Sequence, residues 1–210
     1  MTSANCPNCG APIQFQWSSA VQTTCPFCKS ILVRLDLNLQ KVGVVADLPP
    51  DSSPIQIGTE GTYMNKSFIA IGRIIYEYDL GGWNEWHIMF SDGVSGWLSD
   101  AQCAYALTFM EALPGPVPDA TAVQRGQAFD WGGHRYEVSV VTRAHYKGVE
   151  GELPFEYWDH HEAIFADLRT TDGRFGTIDY SQRPTVLYLG AGVDYDDLHL
   201  KNVRQFEGWN

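Results

Sequence analysis

The chain has 210 residues, 44% of them hydrophobic, and sets 14 Lys and Arg against 25 Asp and Glu for a formal net charge of −11. That apolar content excludes a globally disordered chain, and the acidic surface, with no Lys/Arg cluster to release counterions, argues against a nucleic-acid partner. No apolar run reaches the ~18–20 residues of a transmembrane segment, and residues 1–5 lack the basic and apolar regions of a signal peptide.

The charge is uneven. Residues 1–45 carry +2, residues 46–113 carry −7 and residues 114–210 carry −6. With 20 Gly and 11 Pro, the composition favours short strands joined by many turns.

The first element is marked by cysteine. Four of the five cysteines stand as Cys6-Pro7-Asn8-Cys9 and Cys25-Pro26-Phe27-Cys28, with 15 residues between the pairs. Two Cys-x-x-Cys turns at this spacing read as a zinc ribbon over residues 1–35. Four thiolates complete a tetrahedral shell and leave no position for water, so the spacing predicts one structural Zn2+ ion and no catalysis there. Iron in a rubredoxin-like shell and a pair of disulfides are the rivals. A unit this small needs the metal to fold, and zinc supplies about 10–16 kcal/mol in comparable peptides. Ile13-Gln14-Phe15-Gln16-Trp17 alternates apolar and polar as a strand does, and Ile31-Leu32-Val33-Arg34-Leu35 supplies another. Thiolate ligands predict a reducing, cytoplasmic setting. The fifth cysteine, Cys103, reads as a buried structural thiol.

A linker is expected over residues 36–54, ending in Pro49-Pro50-Asp51-Ser52-Ser53-Pro54. A first β module follows over residues 55–113. The breaker run Leu113-Pro114-Gly115-Pro116-Val117-Pro118-Asp119 opens a second linker over 114–122, and a second β module spans 123–210. The modules resemble each other. Ile55-Gln56-Ile57-Gly58 aligns with Val123-Gln124-Arg125-Gly126, and Asp92-Gly93 aligns with Asp172-Gly173. This reads as an internal duplication with an insertion near 148–160 in the second copy. Each copy holds runs of β-branched and aromatic residues around an Asp-Gly hairpin signal. Helix signals are sparse, with Ser99-Asp100-Ala101-Gln102 the one candidate cap. The predicted fold is mainly β: a zinc ribbon followed by two related small β-barrel or β-roll modules.

Two groups of side chains are candidate binding sites. Tyr76, Tyr78, Trp83, Trp86 and Trp97 surround Gly81-Gly82, and such aromatics either line a binding groove or fill a small barrel. In the insertion, Glu152, Asp159, His160 and Glu162 are the residues able to take a second metal or serve acid–base chemistry. His160 and its neighbour His161 would point to opposite faces of a strand, which weakens a shared ion. A phosphate loop, a nucleophile elbow and a His-Glu-x-x-His motif are all absent, so no catalytic residue is assigned.

Ser53-Pro54-Ile55-Gln56-Ile57-Gly58-Thr59-Glu60-Gly61, Gly72-Arg73-Ile74, Gly82-Trp83-Asn84-Glu85-Trp86, Gly96-Trp97-Leu98-Ser99 and Gly151-Glu152-Leu153-Pro154-Phe155 together resemble the bacterial domain of unknown function 4178 family over roughly residues 53–205. An N-terminal ribbon accompanies members of that family. The resemblance implies no activity and transfers no catalytic residue. Its relatives' association with polyamine-synthesis and membrane-associated stress genes implies an accessory role. The expectation is a non-enzymatic adaptor that binds a protein partner or a small cationic ligand. The alternative is a metal-dependent hydrolase centred on the insertion.

Overall fold

The structure is a computed structural model that describes residues 3–35, 38–45, 52–156 and 162–206. At the N-terminus, β1 (Ser3–Asn5) pairs with β2 (Pro12–Gln14). Next, β3 (Gln22–Thr24), β4 (Ser30–Leu35) and β5 (Asn38–Val44) form a three-stranded antiparallel sheet. β5 lies in the segment expected as a linker, and it pairs with β4 from Leu35↔Asn38 to Ser30↔Val44. Ile13, Phe15, Ala20 and Leu32 pack with Cys6 and Cys25 into one small core. The alternation read from the sequence places Ile13 and Phe15 inside and Gln14 and Gln16 outside.

The rest is one antiparallel sheet of ten strands. They are β6 (Glu60–Tyr63), β7 (Lys66–Tyr78), β8 (Gly81–Phe90), β9 (Ser95–Ala101), β10 (Ala104–Glu111), β11 (Ala128–Trp131), β12 (His134–Gly151), β13 (Ala163–Arg169), β14 (Arg174–Asp179) and β15 (Val186–Val193). Among the described residues the only helical element is the short 3-10 turn Asp196–Leu198. The mainly β expectation holds. The candidate helix cap at Ser99 is instead the end of β9, where Leu98 and Asp100 are buried on one face and Trp97 and Ser99 lie on the other.

Hydrogen bonding runs β7–β8–β9–β10–β15–β14–β13–β12 and then returns from β12 to β7, so eight strands close into a barrel. β12 makes the closure possible by its length. Residues 137–144 pair with β13, and after a bend residues 145–151 pair with β7. Two related small β-barrel or β-roll modules were expected, with their relative packing open. The strands assigned to them share one sheet because β7 pairs with β12 and β10 with β15, each half covering the edges the other would leave open.

The halves repeat local geometry at an offset of 68 residues. Gly58 N–H donates to Ala70 O at 2.8 Å, and Gly126 N–H donates to Val138 O at 2.9 Å. Ala70 N–H then donates to Thr59 O, and Val138 N–H to Gln127 O, both at 2.8 Å. The two Asp-Gly hairpins also match, with φ of +85° at Gly93 and +87° at Gly173, a region that costs glycine nothing.

Apolar side chains gather in three places around this sheet. Ile55, Phe68, Trp86, Ile88, Leu98 and Leu107 pack outside the first half, and Val123, Trp131, Val138, Leu168 and Ile178 outside the second. The third cluster is the barrel interior, with Ile74, Tyr76, Trp97, Phe165 and Tyr188. Ile31 of β4 is buried in that interior cluster, and Val42 and Val45 pack against it. The N-terminal unit therefore covers one end of the barrel.

Candidate functional site

The four cysteines meet. Their sulfurs all lie within 4.8 Å of one another, with Cys6–Cys28 at 3.7 Å and Cys9–Cys25 at 3.8 Å. A tetrahedral shell with metal–sulfur bonds of about 2.3 Å has edges of about 3.8 Å. A disulfide would need about 2.05 Å. The same turn is built twice. Gly10 N–H returns to Cys6 O at 2.8 Å and Lys29 N–H to Cys25 O at 3.0 Å, and both residues adopt a left-handed φ, +76° and +58°. Cys28 is held down to about 5 by the Ser30 hydroxyl and backbone N–H, its sulfur lying 3.2 Å from Ser30 Oγ. Cys9 accepts from the Ala11 backbone, but its desolvation and the other three sulfurs push it up to about 12. Four sulfurs so close cannot all ionise without a cation among them. The donor set fits one tetrahedral metal ion.

The metal unit and the barrel are joined at Glu152 and Leu153, inside the expected insertion. The Glu152 carboxylate, 4% exposed, accepts Gln16 N–H at 2.7 Å and Trp17 N–H at 2.9 Å. Burial raises its pKa, and those two donors oppose the rise. Val21 and Gln22 N–H donate to Leu153 O, and Leu153 N–H donates to Gln22 O. His87 is fully buried beneath this contact. Its Nδ1–H donates to Glu152 O at 2.8 Å, which leaves Nε2 to accept from Ser95 Oγ at 3.1 Å. Burial lowers its pKa to about 4, so the ring is neutral. Trp17 packs edge-on against it, with ring centroids 5.0 Å apart.

The barrel interior is the second site. Side chains two apart on each strand point inward: Ile74 and Tyr76 on β7, Trp83 and Glu85 on β8, Trp97 and Ser99 on β9, Asp167 on β13, Thr177 and Asp179 on β14. Two chambers follow one another. An inner chamber of about 40 Å³ lies between Trp97, Phe155, Tyr188 and Asp179. A mouth chamber of about 340 Å³ is lined by Tyr78, Leu80, Trp83, Asp167 and Arg169. Glu85, Ser99, Phe165 and Thr177 belong to both.

Three carboxylates face this space. Glu85 accepts Trp83 Nε1–H at 2.8 Å and the Ser99 hydroxyl at 2.7 Å. Burial pushes its pKa up to about 7, and Asp167 and Asp179 add to the rise. Asp179 is pushed up to about 6 by burial, against two hydrogen bonds from Ser181. Burial also raises Asp167, which accepts from Thr177 at 2.9 Å. Among the described lining residues the one cation is Arg169, exposed at the mouth over the Phe175 ring.

These placements sort the candidates read from the sequence. Tyr76, Trp83 and Trp97 line the interior and Tyr78 lines its mouth. Trp83 stacks on Tyr76 at 4.8 Å. Trp86 faces the other way, fully buried in the outer cluster under Arg73. Glu152 is the clasp just described. Glu162 is exposed and pairs with Arg143 at 3.0 Å. Asp159 and His160 lie outside the described residues. Among the described residues the four cysteines are the one group of metal-ligating side chains close enough to share an ion. Cys103 is exposed at the β9–β10 turn, not buried, because Gln102 and Cys103 both take positive φ to reverse the chain.

The family model for a domain of unknown function (DUF4178) matches residues 56–194. The chain belongs to this family. The match contains every inward-facing carboxylate and the Glu152 clasp but none of the four clustered cysteines. No curated protein and no solved structure matches the chain. Sequence reasoning missed Glu85, Asp167 and Asp179. A signal was present: each is an acid at a core position of a period-two strand, as in Trp83-Asn84-Glu85-Trp86 and Phe165-Ala166-Asp167-Leu168.

Proposed function

We propose that this protein is a non-enzymatic, cytoplasmic binding protein. One structural zinc ion holds a ribbon-like N-terminal unit over one end of a barrel, and the barrel interior takes a small cationic ligand. The observation that carries this reading is the interior charge: Glu85, Asp167 and Asp179 face a lumen whose described lining offers one arginine, at the mouth. Eight-stranded barrels are wide enough to hold one small ligand, and buried carboxylates are costly unless something compensates them. Aromatic walls of Tyr76, Trp83 and Phe165 add affinity for an organic cation. An accessory role in a polyamine-linked system agrees with this ligand class. Phe27, 68% exposed at the tip of the second cysteine turn, supports a protein partner at the metal unit as a second reading.

Calorimetry tests the cation. Spermidine binds the parent protein saturably and binds Glu85→Gln several-fold more weakly; absence of binding to the parent overturns the reading. Metal analysis tests the zinc, and less than half an equivalent in protein purified without added metal would sink it.

A further inference from the structure

The three interior carboxylates are separated along the barrel, and this limits what the site can hold. Asp179 lines the inner chamber, Asp167 the mouth, and Glu85 both. In the ladder between β13 and β14, Asp167 pairs with Thr177 and Phe165 with Asp179. The two aspartates are therefore diagonal neighbours, with a separation of roughly 7–8 Å. They are not arranged around one point, and among the described residues only the cysteines are close enough to share an ion. Asp179 is 4% exposed. Its Oδ1 takes both Ser181 hydrogen bonds, and its Oδ2 receives none from a described residue. Asp167 likewise accepts at Oδ1 alone from a described residue's side chain. Each aspartate thus keeps one oxygen for a donor that the described protein does not supply.

Chamber size narrows the ligand further. The inner chamber, about 40 Å³, admits a water-sized group such as an ammonium and excludes a ring or a trimethylammonium head. The mouth chamber, about 340 Å³, takes the remainder of a chain. Its rim carries Leu80, 81% exposed, and Val140, 44% exposed, against which methylene groups can slide. Of the aromatic cluster Tyr76, Trp83 and Phe165, Tyr76 lines the inner chamber, Trp83 the mouth and Phe165 both.

We infer that the lumen binds a slender, linear aliphatic cation with at least two ammonium groups, one seated at Asp179 and Glu85 in the inner chamber and the next at Asp167 in the mouth. This rests on the cation-binding reading above and adds the ligand's shape and charge spacing. Binding brings N–H donors to the Oδ2 atoms, which accept from no described side chain, and neutralises the carboxylates spaced along the lumen.

The test is calorimetry on the full chain near neutral pH with a four-carbon α,ω-diamine, butylamine, tetramethylammonium and Mg2+ alone. The diamine is expected to bind about tenfold or more tightly than butylamine, with no binding of tetramethylammonium or Mg2+. Asp179→Asn should bring the diamine down to the level of butylamine. Asp167→Asn should do the same from the other end, which covers the case in which the Asp179 variant fails to fold. Equal affinity for diamine and butylamine, or binding of tetramethylammonium or Mg2+ as tight as that of the diamine, overturns the inference. The first two of these outcomes leave the cation-binding reading standing. Failure of every organic cation to bind overturns both.

Discussion

The metal unit and the barrel interior each concentrate ionisable side chains, and they do it in opposite ways. In the metal unit four sulfurs lie within 4.8 Å of one another, each held by a turn a few residues long. In the barrel, Glu85, Asp167 and Asp179 come from three strands, spread along a lumen. The first arrangement suits one compact dication with no room for anything else. The second leaves space, and oxygens that accept from no described side chain, as a site for a larger guest requires. Four sulfurs around one ion leave no position for a guest, and the open arrangement carries the functional proposal.

The largest effect is expected from removing the metal. Chelation should unfold residues 3–45, since the small core around Ile13, Phe15 and Leu32 cannot replace the roughly 10–16 kcal/mol a structural zinc supplies. Hydrogen exchange should then show lost protection at Val21, Gln22 and Leu153, whose amides bridge the two regions, with protection retained in β8 to β10. Full protection at Leu153 after metal loss would mean that the clasp does not depend on the metal.

Glu152→Ala comes next. It leaves the Gln16 and Trp17 N–H groups without their acceptor and should cost about 2–3 kcal/mol in chemical denaturation. An effect under ~0.5 kcal/mol would show that the contact contributes little.

The buried acids predict a pH effect of similar size. Glu85 ionises near 7 in the fold against 4.5 when unperturbed. The native state therefore holds the extra proton, and Glu85's contribution to stability is full below pH 4.5 and lost as pH rises through about 7. Asp179 does the same between 3.8 and about 6. Glu85→Gln should gain on the parent as pH rises through that window, by up to about 2–3 kcal/mol. A constant difference across pH would remove the buried charge as the cause. His87 works in the other direction. Its pKa of about 4 against 6.5 gives stability present above 6.5 and lost as pH falls through 4, so His87→Gln should flatten the acid limb of the stability profile.

The smallest effect belongs to an exposed carboxylate, Glu162. Glu162→Ala breaks a surface pair with Arg143 and should change stability by less than about 0.5 kcal/mol. A larger loss would indicate a role that its exposure does not suggest.

The cysteine turns were legible in the sequence because each is closed by contacts within five residues. Cys-x-x-Cys followed by a left-handed residue builds its half of the shell wherever it stands. The Asp-Gly hairpins were legible for the same reason. The aromatic candidates were legible only as a set. Tyr76, Trp83 and Trp97 line the lumen, but Trp86 lies three residues from Trp83 and so falls on the opposite face of β8, in the outer cluster. Glu152 was visible as an acid in an insertion. Its partners, Gln16 and Trp17, are more than 130 residues away, and no local pattern connects them.

What the sequence determined by itself was therefore the short-range chemistry: a four-cysteine cluster able to hold a metal ion, a mainly β chain, two hairpin turns, an acidic balance and membership of its family. Only the tertiary structure decided that the strands make one closed barrel, because closure depends on pairing residues 72–77 with 145–151, and separations of that order cost chain entropy that no local propensity records. Closure turned three ordinary strand acids into neighbours of one enclosed space, and the buried clasp at Glu152 set the metal unit over its end.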